Sequence, residues 1–246
     1  MTPEETAETV KGAVSALGGG FMWARATQAV GAELGVADPW AFYTAGRCGV
    51  LGAVDADVVT AALVFFPRDL VRERWEAALA ALPPSRAALA YAEAARTWGR
   101  KRLSSLDGVA RMSELAERVV AAVDPAGLPL FAGWRALPLP DDAPGRAVQL
   151  LNVLREHRGN AHALAVLASG LRPLEAVLAG PNGADNARLF SWPDPYPDPA
   201  PFAQRWQHAE AATTVQVAPA FRALDDAERA EFAGLLEAAS AMAFRR

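Results

Sequence analysis

The chain has 246 residues, 52% of them hydrophobic, enough to bury a substantial core in one large domain or two lobes. Its 24 basic residues are outnumbered by 28 acidic ones, and the formal net charge of -4 excludes a global basic field of the kind that draws in nucleic acid. A single cysteine, Cys48, excludes an intramolecular disulfide and a multi-cysteine zinc centre, and fits a reducing cytoplasm.

Apolar residues recur at three- and four-residue spacing along most of the chain, so the fold is expected to be all-α. The architecture expected is a multi-helix, two-lobed bundle, with an N-terminal helical lobe over 1–127 and a C-terminal helical lobe over 128–246. The spacing predicts helices over 2–17, 22–35, 39–46, 55–64, 67–82, 85–101, 106–123, 130–137, 143–169, 173–179, 200–213 and 225–244. The first begins in an acidic segment without the basic and apolar regions of a signal peptide; there Thr2, Pro3 and Glu5 form a capping box. Asp225 and Glu228 repeat that spacing before the last helix. The most apolar run, 58–67, is far shorter than the roughly 20 residues of a membrane-spanning helix, so no membrane partner is expected. The best strand candidate is the short TVQV, 214–217.

In chain order, the first chemical feature is AGRCGVLGA, 45–53. It lacks the lysine and hydroxyl of a phosphate loop and reads as a turn that brings Arg47 into the interior. There Arg47 would pair with Glu156, as a structural ion pair or as an anchor for a ligand carboxylate. Cys48 among small residues is read as packing rather than as a nucleophile. Phe21, Trp23, Trp40, Phe42, Tyr43, Phe65 and Phe66 form an aromatic set, for core packing or for the wall of a pocket that takes a flat apolar ligand. Arg96, Arg100, Lys101 and Arg102 form the one strongly basic patch, a solvated helix end or a contact for an anionic partner.

The segment LREHRGNAH, 154–162, carries two of the three histidines. At about 100° per residue, His157 and Asn160 share an apolar face with Leu150, Val153, Leu164 and Ala168, while Arg155, Arg158 and His162 form a second stripe. His157 and His162 are then about 140° apart, so they do not ligate one metal ion and no metal site is expected. Gly159 costs helix stability, which implies close approach by a backbone or a ligand, or a kink that turns His162 toward His157. His157 is either a satisfied core histidine or a pocket group with Glu156 beside it. His208 lies on a surface helix and is expected to be solvated. SWPDPYPDPAPF, 191–202, has prolines that forbid a regular helix; it is a stiff connector, or a lid carrying Trp192, Tyr196 and Phe202.

The run 128–171, LPLFAGWRALPLPDD followed by LREHRGNAH, and the segment 42–67, FYTAGRCGVLGAVDADVVTAALVFFP, resemble an actinobacterial family of helix-turn-helix or winged-helix-like proteins. The resemblance rests on Gly46, Arg47 and Gly52, and on Arg155, Glu156, His157, Arg158, Gly159 and His162. Asn160 stands where that family has aspartate, and Phe66 where it has histidine. The resemblance implies a C-terminal half built as a degenerate winged-helix-like unit, and DNA binding. A helix-turn-helix fits 163–179, with Gly170 in the turn, but its second helix offers no base-reading side chain.

The leading expectation is a cytoplasmic protein, tied to specialised metabolism or its regulation, that binds a small-molecule ligand in a pocket between its lobes. Arg47, Asn160, His162, Arg158 and Arg155 are its candidate ligand-binding residues. The alternatives are an acid-base enzyme with His157 and Glu156 as catalytic residues, oriented with Asn160, and a DNA-binding transcriptional regulator. A homodimer is among the expected partners, and no particular cofactor follows from the residues.

Overall fold

The computed structural model describes residues 1–245. Thirteen α-helices follow one another: α1 (Pro3–Gly19), α2 (Arg25–Glu33), α3 (Pro39–Cys48), α4 (Ala56–Ala62), α5 (Arg68–Leu79), α6 (Pro84–Leu103), α7 (Val109–Ala121), α8 (Pro129–Arg135), α9 (Ala143–Ala168), α10 (Pro173–Ala179), α11 (Gly183–Leu189), α12 (Ala203–Val217) and α13 (Asp226–Ala243). No strand occurs among the described residues, so the fold is an all-α multi-helix bundle and carries no β-wing. Thr214–Val217, expected as a short strand, is the last turn of α12, whose buried residues Ala209, Thr213 and Val217 follow a four-residue helical spacing.

The caps sit where the sequence places them. Thr2 accepts from the Glu5 amide at 3.1 Å while Glu5 reaches back to the Thr2 amide at 2.8 Å, and Asp225 and Glu228 repeat this at α13. Proline occupies the first turn of α1, α3, α6, α8, α9 and α10, where its missing N–H costs nothing.

Helix α9 organises the bundle, packing against α1, α6, α7, α8 and α12. It is therefore buried on several sides: Leu150, Val153, His157 and Asn160 are enclosed as expected, but so are Leu151, Leu154, Ala161 and Val166 on other faces. Leu164, expected on the inward face, is 46% exposed, because the neighbours that enclose the first half of the helix do not extend over that position. At Gly18 the backbone of α1 meets α9 so closely that a Cβ would lie 2.6 Å from the Leu151 carbonyl oxygen. The main core draws on residues before and after 127, from Val10 and Leu17 to Trp134, Leu151 and Phe232. Two smaller apolar clusters lie beside it, around Val166 and Leu171 and around Leu178 and Ala187.

Candidate functional site

Asp38 caps α3 by accepting from the Trp40 amide at 2.8 Å, and the last turn of this helix presents Arg47 to α9. Arg47 donates through Nε and Nη2 to the two carboxylate oxygens of Glu156, at 2.8 and 2.9 Å, and through Nη1 to the Tyr43 hydroxyl at 2.7 Å. Its carbonyl oxygen accepts from Nε1 of the buried Trp134 at 2.9 Å. Arg155 donates to the same carboxylate, Nη1 to Oε1 at 2.8 Å. Glu156 is wholly buried, which works to raise its pKa, but the Arg47 and Arg155 guanidiniums outweigh the burial and hold the carboxyl below its ordinary range. Two guanidiniums thus share one carboxylate.

One turn on, Arg158 Nη2 donates to Glu210 Oε2 of α12 at 2.7 Å. His162 Nδ1 lies 3.0 Å from Thr213 Oγ1 and 3.2 Å from Glu210 Oε1. Burial lowers the His162 pKa despite the opposing carboxylate of Glu210. Lys11 of α1 approaches Glu210 Oε2 at 3.8 Å and pairs with Glu8 on its own helix.

Between these groups lies a cavity of about 260 Å³. Lys11, Arg47, Arg155 and Arg158 line it, and no aspartate or glutamate does. Its apolar wall is the aromatic set of the N-terminal half: Trp23 stacks on Tyr43 with ring centres 5.1 Å apart, and Trp40 meets Trp23 edge-on at 4.4 Å and Phe66 at 5.9 Å. Phe21 and Phe42 belong instead to the core, against Tyr91. The rim is closed by Leu189 and Phe190, the latter 4.6 Å from the Phe66 ring. Trp192 fastens this segment by donating to the Phe65 carbonyl at 3.0 Å, and Tyr196 folds back on the Trp192 carbonyl. Phe202 packs elsewhere, near Val166 and Ala209.

Gly159 lines the cavity, and a Cβ there would meet nothing within 4 Å. The expected close approach by a protein backbone is not present; the missing side chain leaves open volume. The kink that a glycine permits leaves no break in α9, which runs continuously from Ala143 to Ala168. His157 and His162 therefore stay on separate faces, the first against Phe131 of α8 with ring centres 5.3 Å apart, the second against α12.

This placement corrects the expected role of His157. It does not line the cavity, and among the described residues no group hydrogen-bonds its ring, neither Glu156 nor Asn160. The reason is α8, which covers that side of α9. Burial lowers the imidazole from 6.5 to about 4, so it is neutral at ordinary pH, while Glu156 is locked as an anion by its two arginines. Asn160 touches the cavity but spends its Oδ1 on the amides of Leu130 and Phe131, at 3.2 and 3.3 Å, where it caps the first turn of α8 from outside.

Other candidates resolve plainly. Cys48 is buried, and burial pushes its thiol up to about 12, far from a nucleophile's range. In the basic patch, Arg96 is bonded to Gln149 and the Pro138 carbonyl and Arg100 to Glu93 and Asp142, which leaves Lys101 and Arg102 exposed. His208 is exposed on α12. Lys11, Glu210, Leu189 and Phe190 were not anticipated; nothing local in their segments distinguishes them from ordinary helix positions.

Helices α9 and α10 are joined by the four residues 169–172, with Gly170 at φ +72°, and their axes bend by 107°. That is the geometry of a helix-turn-helix, which joins its helices at about 90–120° through a short turn containing glycine. The second helix has no lysine, arginine, asparagine or glutamine, buries Glu175, Ala176, Val177 and Leu178, and holds Arg172 at its start against Glu175 at 2.8 Å. No single helix among the described residues is long and apolar enough to cross a membrane.

The fold and site define an all-α protein with a helix-turn-helix element and a partly open, cation-lined cavity. A family model described as a helix-turn-helix family matches residues 7–196, and the chain belongs to that family. No curated protein and no solved structure matches it.

Proposed function

We propose that the chain binds a small organic molecule in the cavity between its N-terminal and C-terminal helices. The observation that carries this reading is the partly open cavity of about 260 Å³ at Gly159, lined by aromatic rings and by guanidiniums. Pockets of this composition, an apolar wall with a few convergent polar groups, are the usual form of small-molecule sites, and this one is slightly smaller than the typical range of roughly 300–1,000 Å³. It suits a ligand of one or two rings. Arg47, Arg155, Arg158 and Asn160 belong to its wall, and His162 lies outside it against Thr213 and Glu210 of α12. The test is a thermal-shift screen of small aromatic and heteroaromatic compounds on the wild type and on Gly159→Leu, which places a side chain in the space. Compounds that raise the melting temperature of the wild type and not of the variant support the reading; hits that persist in Gly159→Leu, or a screen without hits, overturn it.

A second reading is a DNA-binding regulator, favoured by membership of a helix-turn-helix family and by the bend between α9 and α10. Against it stands the composition of α10, which offers neither base-reading side chains nor free cations for phosphates. A gel-shift titration that finds salt-sensitive binding to duplex DNA would restore it.

A further inference from the structure

We infer that the cavity selects a flat apolar molecule bearing one negative charge, with Arg155 as the residue that receives the anionic group. This rests on the small-molecule reading above and adds the ligand's charge. Four cationic side chains line the space, and the carboxylates within their reach are Glu156, Glu210 and Glu8. Burial lowers the His162 pKa and so disfavours a further charge there, and the four cations outnumber the three carboxylates by one. That excess sits at Arg155. Both oxygens of Glu156 are engaged by Arg47, and Arg155 takes only a share of Oε1 through one nitrogen, Nη1. Among the described residues, its Nε and Nη2 have no hydrogen-bond acceptor. They are the two donors on one edge of a guanidinium, the edge that grips a carboxylate or sulfonate in bidentate fashion.

The surroundings hold that side chain in place. Gly19, at the end of α1, makes room for it: a Cβ there would stand 3.2 Å from Nε. The side chain is 24% exposed, so its charge is only partly screened by solvent. The other cations are engaged: Arg47 with Glu156 and Tyr43, Arg158 with Glu210, and Lys11 with Glu8. The Trp23, Trp40, Tyr43 and Phe66 rings line the same space and offer faces and edges to a planar body. A ligand with two or more charges would leave negative charge uncompensated next to Glu156, and a neutral one would leave the Nε and Nη2 edge of Arg155 without an anionic partner.

The experiment is isothermal titration of the full chain with 1-naphthoate and with its neutral counterpart 1-naphthalenemethanol. The acid is expected to bind about tenfold tighter or better, the size of one charge-assisted hydrogen-bonded contact. Arg155→Gln is expected to abolish that preference, read as the ratio of the acid's affinity to the alcohol's, and Arg155→Lys to keep part of it. Arg155→Met serves the same comparison if the glutamine variant does not fold. Equal affinities for acid and alcohol, a preference that survives Arg155→Gln, or no binding of either probe overturns the charge assignment. Equal affinities that Gly159→Leu abolishes would leave the cavity reading standing without it; binding that Gly159→Leu does not touch removes both.

Discussion

Arg47 and Glu156, separated by 109 residues of sequence, meet in the interior as a bidentate pair with both carboxylate oxygens held at 2.8 and 2.9 Å. The pair ties α3 to α9, and through the Arg47 carbonyl it also holds the indole of Trp134 on α8. Removing one partner leaves a buried charge without compensation. Glu156→Gln is therefore expected to destabilise the protein by about 3–5 kcal/mol in urea unfolding, as for other broken buried pairs. The pH dependence has a definite sign: the carboxyl is depressed in the folded state, so its contribution is full above the unfolded carboxyl pKa of about 4.3 and is lost as pH falls through the lower, folded value.

His157 predicts a second pH effect in a different window. Its folded pKa of about 4 lies below the ordinary 6.5, so the unfolded chain binds a proton that the folded chain refuses between those values. Stability should fall by roughly 3 kcal/mol from this group as pH drops from above 6.5 to about 4. His157→Leu, which keeps an apolar contact with Phe131, should flatten the curve of unfolding free energy between pH 7 and 5. An unchanged slope would show that the imidazole is not buried as described.

Asn160 holds the start of α8 in place of a local cap, since Leu128 offers no side-chain acceptor. Asn160→Ala is expected to cost about 1 kcal/mol, the usual value of a lost N-cap. Asn160→Asp keeps the acceptor and places a negative charge at a helix N-terminus, so it should retain or slightly raise stability at neutral pH. Thermal unfolding of the two variants beside the wild type checks the order.

At Gly159 the helix carries a residue poorly suited to its backbone, with free space where a side chain would be. Gly159→Ala should stabilise the protein by up to about 1 kcal/mol, the difference in helix propensity, with no steric cost to offset it. A destabilised alanine variant in urea titration would mean that the space is not open.

The helical pattern and its caps were legible in the sequence because they are local: Thr2 with Glu5 and Asp225 with Glu228 need only their own turn. Helix α11 was not, because GPNGADNARLF combines proline, glycine and asparagine in the manner of a turn. Periodicity correctly separated His157 from Arg155, Arg158 and His162, yet it could not say which stripe faces open space. That depends on α8, which covers His157, and on α1, α3 and the segment after α11, which stop short of Gly159. The pairing of Arg47 with Glu156 was anticipated because a glycine-rich turn that carries an arginine inward needs a carboxylate opposite it for a charge-assisted pair. Glu210, which takes up Arg158, gave no such signal, since it reads as one more acid on an exposed helix.

The cavity is walled by the helix that anchors the rest of the fold. A molecule resting on Arg155 and Gly159 bears on α9, and α9 is packed against α1, α6, α7, α8 and α12. Occupancy is therefore linked to unfolding of the whole chain rather than to fraying of an appendage: a ligand bound only by the folded form adds RT ln(1 + [L]/Kd) to global stability, about 2.7 kcal/mol at a hundredfold excess over Kd. On the proposed reading, the protein's melting point becomes a gauge of what fills the cavity, one that responds before the identity of a ligand is known.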